Sequence, residues 1–191
     1  MAASPVVVFQ TIGQSQPPAA TTLDEIKKQD GFRRALFGVK LEDPETGILY
    51  TEWSSTDAAV SYSSSQLGNA KETFVFAVPQ KHASGWQSAV AAPCTEVFTA
   101  YGAEDGFLGN LDQFLDAVNA NAPEGFYGGS PGEGVALKEG DEKVVRGVLG
   151  WKSREAHFEA KDKPGAIQEN IHLLRVMRRA VDLFHVQLRE L

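Results

Sequence analysis

The sequence has one cysteine, no long apolar run and no excess of basic residues. The single cysteine, Cys94, excludes an intrachain disulfide and a zinc site built on several cysteines. No stretch approaches the ~20 consecutive apolar residues of a membrane-spanning helix. The first residues also lack the basic start of a signal peptide. We therefore expect a cytoplasmic protein that does not bind membranes.

The charge balance argues against nucleic acid as a partner. The chain has 18 basic and 25 acidic residues and a formal net charge of −7. A protein that neutralises phosphates needs a basic surface, because release of counterions drives that binding. The one basic cluster, Arg175, Arg178 and Arg179, is predicted near the end of a helix, where cations complement the helix dipole. We predict that the chain does not bind nucleic acid.

Several common catalytic motifs are also missing. The glycine-rich segment at 128–134 is interrupted by Pro131 and lacks the Lys-Ser/Thr that ends a phosphate-binding loop. The G-x-S-x-G of a serine nucleophile is absent, and no two histidines have the spacing of a zinc or iron site. The sequence therefore predicts no metal and none of these hydrolase or nucleotide-binding chemistries.

What the sequence does contain is an internal repeat. Trp53-Ser54-Ser55-Thr56-Asp57-Ala58 recurs as Trp151-Lys152-Ser153-Arg154-Glu155-Ala156, so that both copies read W-x-S-x-[DE]-A. The pattern is typical of a strand that ends at Trp and is followed by a helix. Ser55 and Ser153 are predicted to cap that helix, and the acidic residue then lies in its first turn.

The flanks of the two copies agree in order. Each half has a short β-like run, a helical start at Leu-Asp, a β-rich stretch, a turn, the strand with the Trp, a helix and a last apolar strand. We align Val8-Phe9 with Val97-Phe98, His157 with Ala59, and His185 with Ala77. Each half is therefore predicted to be a βαββαβ unit of the ferredoxin-like type.

A four-stranded sheet with helices on one side leaves its other face apolar, so we expect the two halves to pack sheet to sheet. The fold class predicted is α+β, with residues 1–90 as the first half, including a linker, and 91–191 as the second. The linker at 79–93, which carries Trp86, is expected to pack on the surface of one half. A glycine-rich insert at 130–134 is expected in a hairpin, and the last helix is expected to extend past Pro164. The protein is predicted to be a monomer or a homodimer.

The motif resembles that of the antibiotic biosynthesis monooxygenase (ABM) family of dimeric α+β barrels. The second copy, from Gly150 to His157, is the closer match, and the chain's size is similar to that of tandem fungal members. The resemblance implies an intrachain dimeric α+β barrel and a monooxygenase that needs no cofactor and oxidises aromatic or polyketide-like compounds. The superfamily also includes haem-degrading enzymes and isomerase-like members. Two alternatives stay open: a non-catalytic ligand-binding or stress-related barrel protein, and an isomerase, cyclase or dehydratase.

The candidate site lies in the second half, where the two halves differ. His157 and His185 are the catalytic candidates, because an imidazole exchanges protons near neutral pH. Trp151, Tyr127 and Tyr101 are the candidates for binding a small apolar or aromatic molecule between the sheet and the helices. Each has a structural alternative: the histidines can be packing residues, and Trp151 can be a core anchor.

Overall fold

The computed structural model describes residues 5–65 and 70–191, which form a mixed α+β fold with an antiparallel sheet. Its strands are β1 (Val6–Ile12), β2 (Phe32–Val39), β3 (Gly47–Trp53), β4 (Ala70–Ala77), β5 (Cys94–Tyr101), β6 (Phe126–Val135), β7 (Val144–Trp151), β8 (Ala180–Val186) and β9 (Arg189–Glu190). Its helices are α1 (Ala20–Lys27), α2 (Thr56–Ser64), α3 (Ala83–Val90), α4 (Phe107–Ala120), α5 (Arg154–Asp162) and α6 (Ala166–Asn170). None of the helices in these residues is long and apolar enough to cross a membrane.

The strands form one continuous sheet in the order β8-β5-β7-β6-β4-β1-β3-β2-β9. The first four strands of the chain lie in the order β4-β1-β3-β2, and the corresponding strands of the second half lie in the order β8-β5-β7-β6. β4 pairs with β6, so the expectation of two separate sheets is wrong. At the far ends, Lys40 after β2 forms a bridge with Val186 of β8, and the sheet therefore wraps around a shared interior.

The two tryptophans occupy matching positions in this sheet. Trp53 lies opposite Val6 of β1, and Trp151 lies opposite Cys94 of β5. Ser55 Oγ accepts a hydrogen bond from the Ala58 amide, and Ser153 Oγ accepts one from the Ala156 amide, both at 3.2 Å. The predicted strand-to-helix role of W-x-S-x-[DE]-A is confirmed, because each Ser is the N-cap of the helix that follows.

The register corrects the alignment of the flanking strands. Counting from the tryptophans, Val8 matches Glu96 and Phe9 matches Val97, so the predicted alignment of Val8 with Val97 is wrong by one residue. By the same pairing, His185 corresponds to Val75 and not to Ala77. The error is physical in origin: successive residues of a strand point to opposite faces, and a run of β-branched and aromatic residues contains nothing that marks its register.

The interior of the barrel is filled by side chains from both halves and from the linker. The linker forms α3, and Trp86 is 0% exposed and packs against Phe9. Its indole N–H donates to the Tyr50 hydroxyl at 3.0 Å. The linker was expected to pack on the surface of one half, and its tryptophan instead enters the interior, because the apolar faces of the sheet leave a space that a large aromatic side chain fills.

The glycine-rich segment is also explained by Trp86. Residues 130–134 lie within β6, and not in a hairpin insert as expected. A Cβ on Gly132 would lie 2.9 Å from the Trp86 ring, and one on Gly150 would lie 2.9 Å from Ala89 Cα. Glycine is required here for the close approach of α3 to the strands.

The last predicted helix is interrupted. α5 ends at Asp162 before Pro164, a short α6 follows, and a 3-10 turn (Ile171–Leu174) leads to β8. Arg175, Arg178 and Arg179 therefore lie between that turn and β8 and not at a long helix end, which corrects the prediction.

Candidate functional site

His157 of α5 and His185 of β8 are brought together on the face of the sheet that the helices cover. Their Nδ1 and Nε2 atoms, respectively, are 2.9 Å apart, and both side chains are buried. The Ser153 cap starts α5 directly after Trp151, which places His157 over that indole with ring centroids 5.1 Å apart. Their catalytic role stays a prediction.

Glu42, in the segment after β2, reaches His185 from the first half of the chain. Glu42 Oε1 is 2.6 Å from His185 Nδ1, and Oε2 accepts the His185 backbone N–H at 2.9 Å. Burial acts to raise the pKa of Glu42, but these two hydrogen bonds outweigh it and hold the pKa below its usual value. An ionised carboxylate only accepts, so the hydrogen between these two groups is carried by His185 Nδ1.

Glu96 lies at the other end of the histidine pair. It faces His185 across the β5–β8 pairing, and its Oε2 is 3.6 Å from His157 Nε2. The same Oε2 accepts a hydrogen bond of 2.8 Å from the Trp151 indole N–H. Burial raises the pKa of Glu96 to about 7. Burial and the neighbouring His185 lower the pKa of His157 to about 4, so that His157 is neutral at physiological pH.

These four groups form a continuous chain of proton carriers. Glu96 faces His157 Nε2, His157 Nδ1 shares a hydrogen bond with His185 Nε2, and His185 Nδ1–H donates to Glu42. We call this set, Glu42, His185, His157 and Glu96, the relay. It connects a fully buried carboxyl group to one that is partly exposed.

Sequence reasoning found the histidines of the relay but not its carboxyl groups. Glu96 was visible as a lone acidic residue inside an apolar strand, which is a signal that it needs a buried partner. Glu42 had no such signal, because its contact with His185 spans 143 positions of sequence.

The other predicted site residues lie in different surroundings. Trp151 is buried against the relay and donates to Glu96, and it acts as a core anchor as well. Tyr127 is 53% exposed on β6. Tyr101 is half-buried and packs edge to face on Phe74, away from the histidines. The structure therefore places Tyr101 away from the histidines, and the substrate-binding role of Trp151, Tyr127 and Tyr101 stays a prediction.

Two cavities lie near these elements. One of ≈ 470 Å³ lies between α5, α6 and the segment 121–125, and one of ≈ 590 Å³ is lined by residues of β4, β5, β6 and β7 and of the 136–143 hairpin. Neither is lined by His157 or His185. The relay instead reaches the surface at Glu42, and the exposed ring of Phe158 packs against the histidine pair, 5.4 Å from His157 and 5.6 Å from His185 between ring centroids.

Two groups of side chains in the described residues could hold a cation. Glu96, His157 and His185 each offer a ligand atom within 4.8 Å of the others, and His82, Asp112 and Asp116 do the same. The sequence did not suggest either group, because their members come from distant segments. The prediction that the protein uses no metal or cofactor stays a prediction.

Comparisons with known proteins identify the fold. No family model and no curated protein matches the chain. Among solved structures, an "anthrone oxidase-like protein" matches with a TM-score of 0.63 and 13% identity over 98% of this chain and 94% of that one. A "putative monooxygenase" from Lactobacillus acidophilus NCFM matches with a TM-score of 0.55 and 12% identity over 99% of this chain and 100% of that one. A "putative monooxygenase" from Fusobacterium nucleatum matches with a TM-score of 0.55 and 11% identity over 98% and 94%.

These similarities show that the chain shares its α+β fold with these proteins. They extend over nearly the whole length of each chain, so the architecture is shared and not only a motif. At this level of identity the likeness concerns the fold, and function has to be argued from the relay.

Proposed function

We propose that this protein is a small-molecule enzyme of the monooxygenase type, in which the relay accepts a proton from an aromatic substrate. The observation that carries the proposal is the buried histidine pair held between two carboxyl groups, one of which has its pKa raised to about 7. A buried acid with a pKa near the operating pH suits general acid–base catalysis. The two halves of the chain, in this proposal, are a duplicated ferredoxin-like unit that forms an intrachain barrel.

The substrate class follows from the surface where the relay ends. Glu42 is partly exposed where it contacts His185, and two exposed apolar side chains also lie near His185: Phe158, whose ring packs against it, and Leu183, on the same strand face. A flat apolar ring would pack on these two side chains with its acidic hydrogen at Glu42. Phenols and anthrone-like compounds combine such a ring with a weakly acidic hydrogen.

The proposed reaction balances with oxygen as the only co-substrate. Ionised Glu42 accepts the proton lost by the substrate, and the substrate is left as an electron-rich anion. The anion reduces dioxygen. An anthrone CH2 group thereby becomes C=O, with one oxygen atom retained and the other released as water. Return of the proton from Glu42 to the oxygen that leaves as water completes the cycle, and no organic cofactor is consumed.

The proposal is tested by oxygen uptake with anthrone. Purified protein without added flavin or metal is expected to consume one dioxygen per anthrone converted, faster than the spontaneous oxidation of anthrone. His157→Ala is expected to abolish this acceleration, and His172→Ala, at an exposed histidine in the 3-10 turn, is the matched control. Uptake by His157→Ala equal to that of the unaltered protein would remove the relay from the mechanism.

A second candidate function is ligand binding without turnover. It is favoured by one observation, that neither of the two cavities contacts the relay. This function predicts saturable binding of an aromatic compound with no product and no oxygen consumption. Product formed without oxygen consumption would instead support an isomerase, cyclase or dehydratase.

A further inference from the structure

Arg146 of β7 is a cation enclosed by aromatic rings inside the barrel. Its side chain lies on the interior face of the sheet, and the residue is 3% exposed. The guanidinium carbon lies 4.5 Å from the ring centroid of Phe9, 4.6 Å from that of Phe76 and 5.3 Å from that of Phe74. We call these three rings and Arg146 the arginine cage. The rings stabilise the charge in part, since aromatic faces attract cations.

The polar contacts of Arg146 are incomplete. Its Nε donates to Thr99 Oγ1 at 3.0 Å, but Nη1 is buried and has no hydrogen-bond partner among the described residues. No carboxylate of those residues forms an ion pair with it, and burial lowers its pKa to about 10. A buried charge without a counter-charge is costly, and the cost is recovered when an anion pairs with it.

The fold itself does not require an arginine here. Thr99 pairs with Arg146 in the second half, and the corresponding pair in the first half is Thr11 with Ile48. Ile48 is buried in the same interior core. Because an apolar side chain occupies the matching position, the charge of Arg146 points to a ligand and not to a structural need.

A cavity lies next to the arginine cage. It has a volume of ≈ 590 Å³, and Phe74 belongs both to the cage and to its lining. Tyr101 and Val144 also line it, and they pair two residues further along the strands from Thr99 and Arg146, on the same interior face. The cage is therefore adjacent to the wall formed by Phe74, Tyr101 and Val144.

We propose that this cavity binds an aromatic carboxylate, with its ring against Phe74 and Tyr101 and its carboxylate paired with Nη1 of Arg146. A guanidinium favours a carboxylate because planar groups can share charge-assisted hydrogen bonds. The site is separate from the relay, which lies on the opposite face of the sheet, and it does not depend on the proposed reaction.

The charge requirement is tested by calorimetric titration with a matched ligand pair. 2-Naphthoate is the anionic probe and 2-naphthamide is its neutral isostere. The full chain is expected to bind 2-naphthoate at one site, with the amide at least about tenfold weaker. Arg146→Met, which keeps the length of the side chain without its charge, is expected to reduce naphthoate binding to the level of the amide. Equal binding of the two probes, or no naphthoate binding, would overturn the proposal.

The location is tested by a variant that keeps Arg146, so that the result does not depend on Arg146→Met folding. Ala136 is exposed and lines the cavity, so Ala136→Trp is expected to block it and to abolish naphthoate binding. Ala120→Trp, at an exposed alanine at the end of α4, is the control and is expected to bind normally. Undiminished binding by Ala136→Trp would place the ligand elsewhere and refute the site.

Discussion

The two halves of the chain differ most at the place where the repeated motif is the same. Around the tryptophan of the motif, the second half has Glu96, His157 and His185. At the matching positions the first half has Val8, Ala59 and Val75, all apolar. The tryptophans adapt to their surroundings: the Trp53 indole N–H donates to Thr51, and that of Trp151 donates to Glu96, each at 2.8 Å.

The first half has the same arrangement of strands without these polar side chains, so the architecture does not require the relay. In the first half the place over the tryptophan is taken by Tyr62, whose ring stacks on Trp53 with centroids 4.6 Å apart. His157 takes the corresponding place over Trp151. Burying polar side chains at positions where the first half has apolar ones costs stability, and the proposed function would account for that cost.

The largest expected effect comes from making the second half like the first. The triple variant Glu96→Val, His157→Ala, His185→Val is expected to keep the fold, because the first half is apolar at these positions, but to be less stable, because no ring equivalent to that of Tyr62 then covers Trp151. It is expected to lose about 10²- to 10⁴-fold in anthrone oxidation, the usual contribution of general acid–base groups. Circular dichroism reports the fold, and oxygen uptake reports the activity. A folded triple variant with full activity would break the comparison.

The next effect concerns pH and Glu96. The pKa of Glu96 is about 7 in the folded chain and near its usual value of 4.5 when unfolded, so the folded state retains a proton between these pH values. The stability that Glu96 contributes is therefore present below pH 4.5 and is lost as the pH rises to about 7, by roughly 3 kcal/mol. His157, with its lowered pKa, acts in the opposite sense, losing stability as the pH falls from 6.5 to about 4.

Glu96→Gln removes the titrating carboxyl group and so isolates the contribution of Glu96 to the pH dependence of stability. The free energies of unfolding of the variant and of the unaltered protein are measured with urea at pH 5 and pH 8. The stability of the variant relative to the unaltered protein is expected to be greater at pH 8 than at pH 5. Glu124→Gln, at an exposed glutamate, controls for the loss of one acidic side chain. The same difference between the two proteins at both pH values would show that Glu96 does not titrate in this range.

A smaller effect is expected at the contact between the halves. Glu42→Gln removes the charge that accepts hydrogen bonds from His185, and it is expected to lower the free energy of unfolding by about 2 kcal/mol at neutral pH. The pKa of Glu42 is held below its usual value, so this stabilisation is present above pH 4.5 and is lost as the pH falls below it. Glu45→Gln, an exposed position of the same loop, is the control. An unchanged free energy would show that His185 does not need Glu42.

The smallest expected effect tests whether the two copies of the motif stabilise their helices equally. Ser55→Ala and Ser153→Ala each remove one helix cap of the same geometry, and each is expected to cost about 1 kcal/mol in the free energy of unfolding. Denaturant titration of both variants measures the two costs. Costs that differ by a large factor would mean that the two helices contribute differently despite their shared sequence.

Much of the architecture could be predicted from local patterns. The W-x-S-x-[DE]-A motif predicted a strand, a cap and a helix, and all three are present in both copies. The site was predictable only in part. His157 and His185 stood out as polar residues where the first half is apolar, whereas Glu42 was invisible because its segment carries no pattern that refers to β8.

The sequence by itself determined the order of the elements in each half, because hydrophobic periodicity, caps and turns act over a few residues. Four features depend on the tertiary structure. They are the register of β1 and β5, the burial of Trp86, the pairing of β4 with β6 that joins the two halves of the sheet, and the contact between Glu42 and His185. These depend on side chains that are far apart in the chain and that compete for one interior. Their outcome is set by which arrangement buries the most apolar surface while leaving each buried polar group a partner.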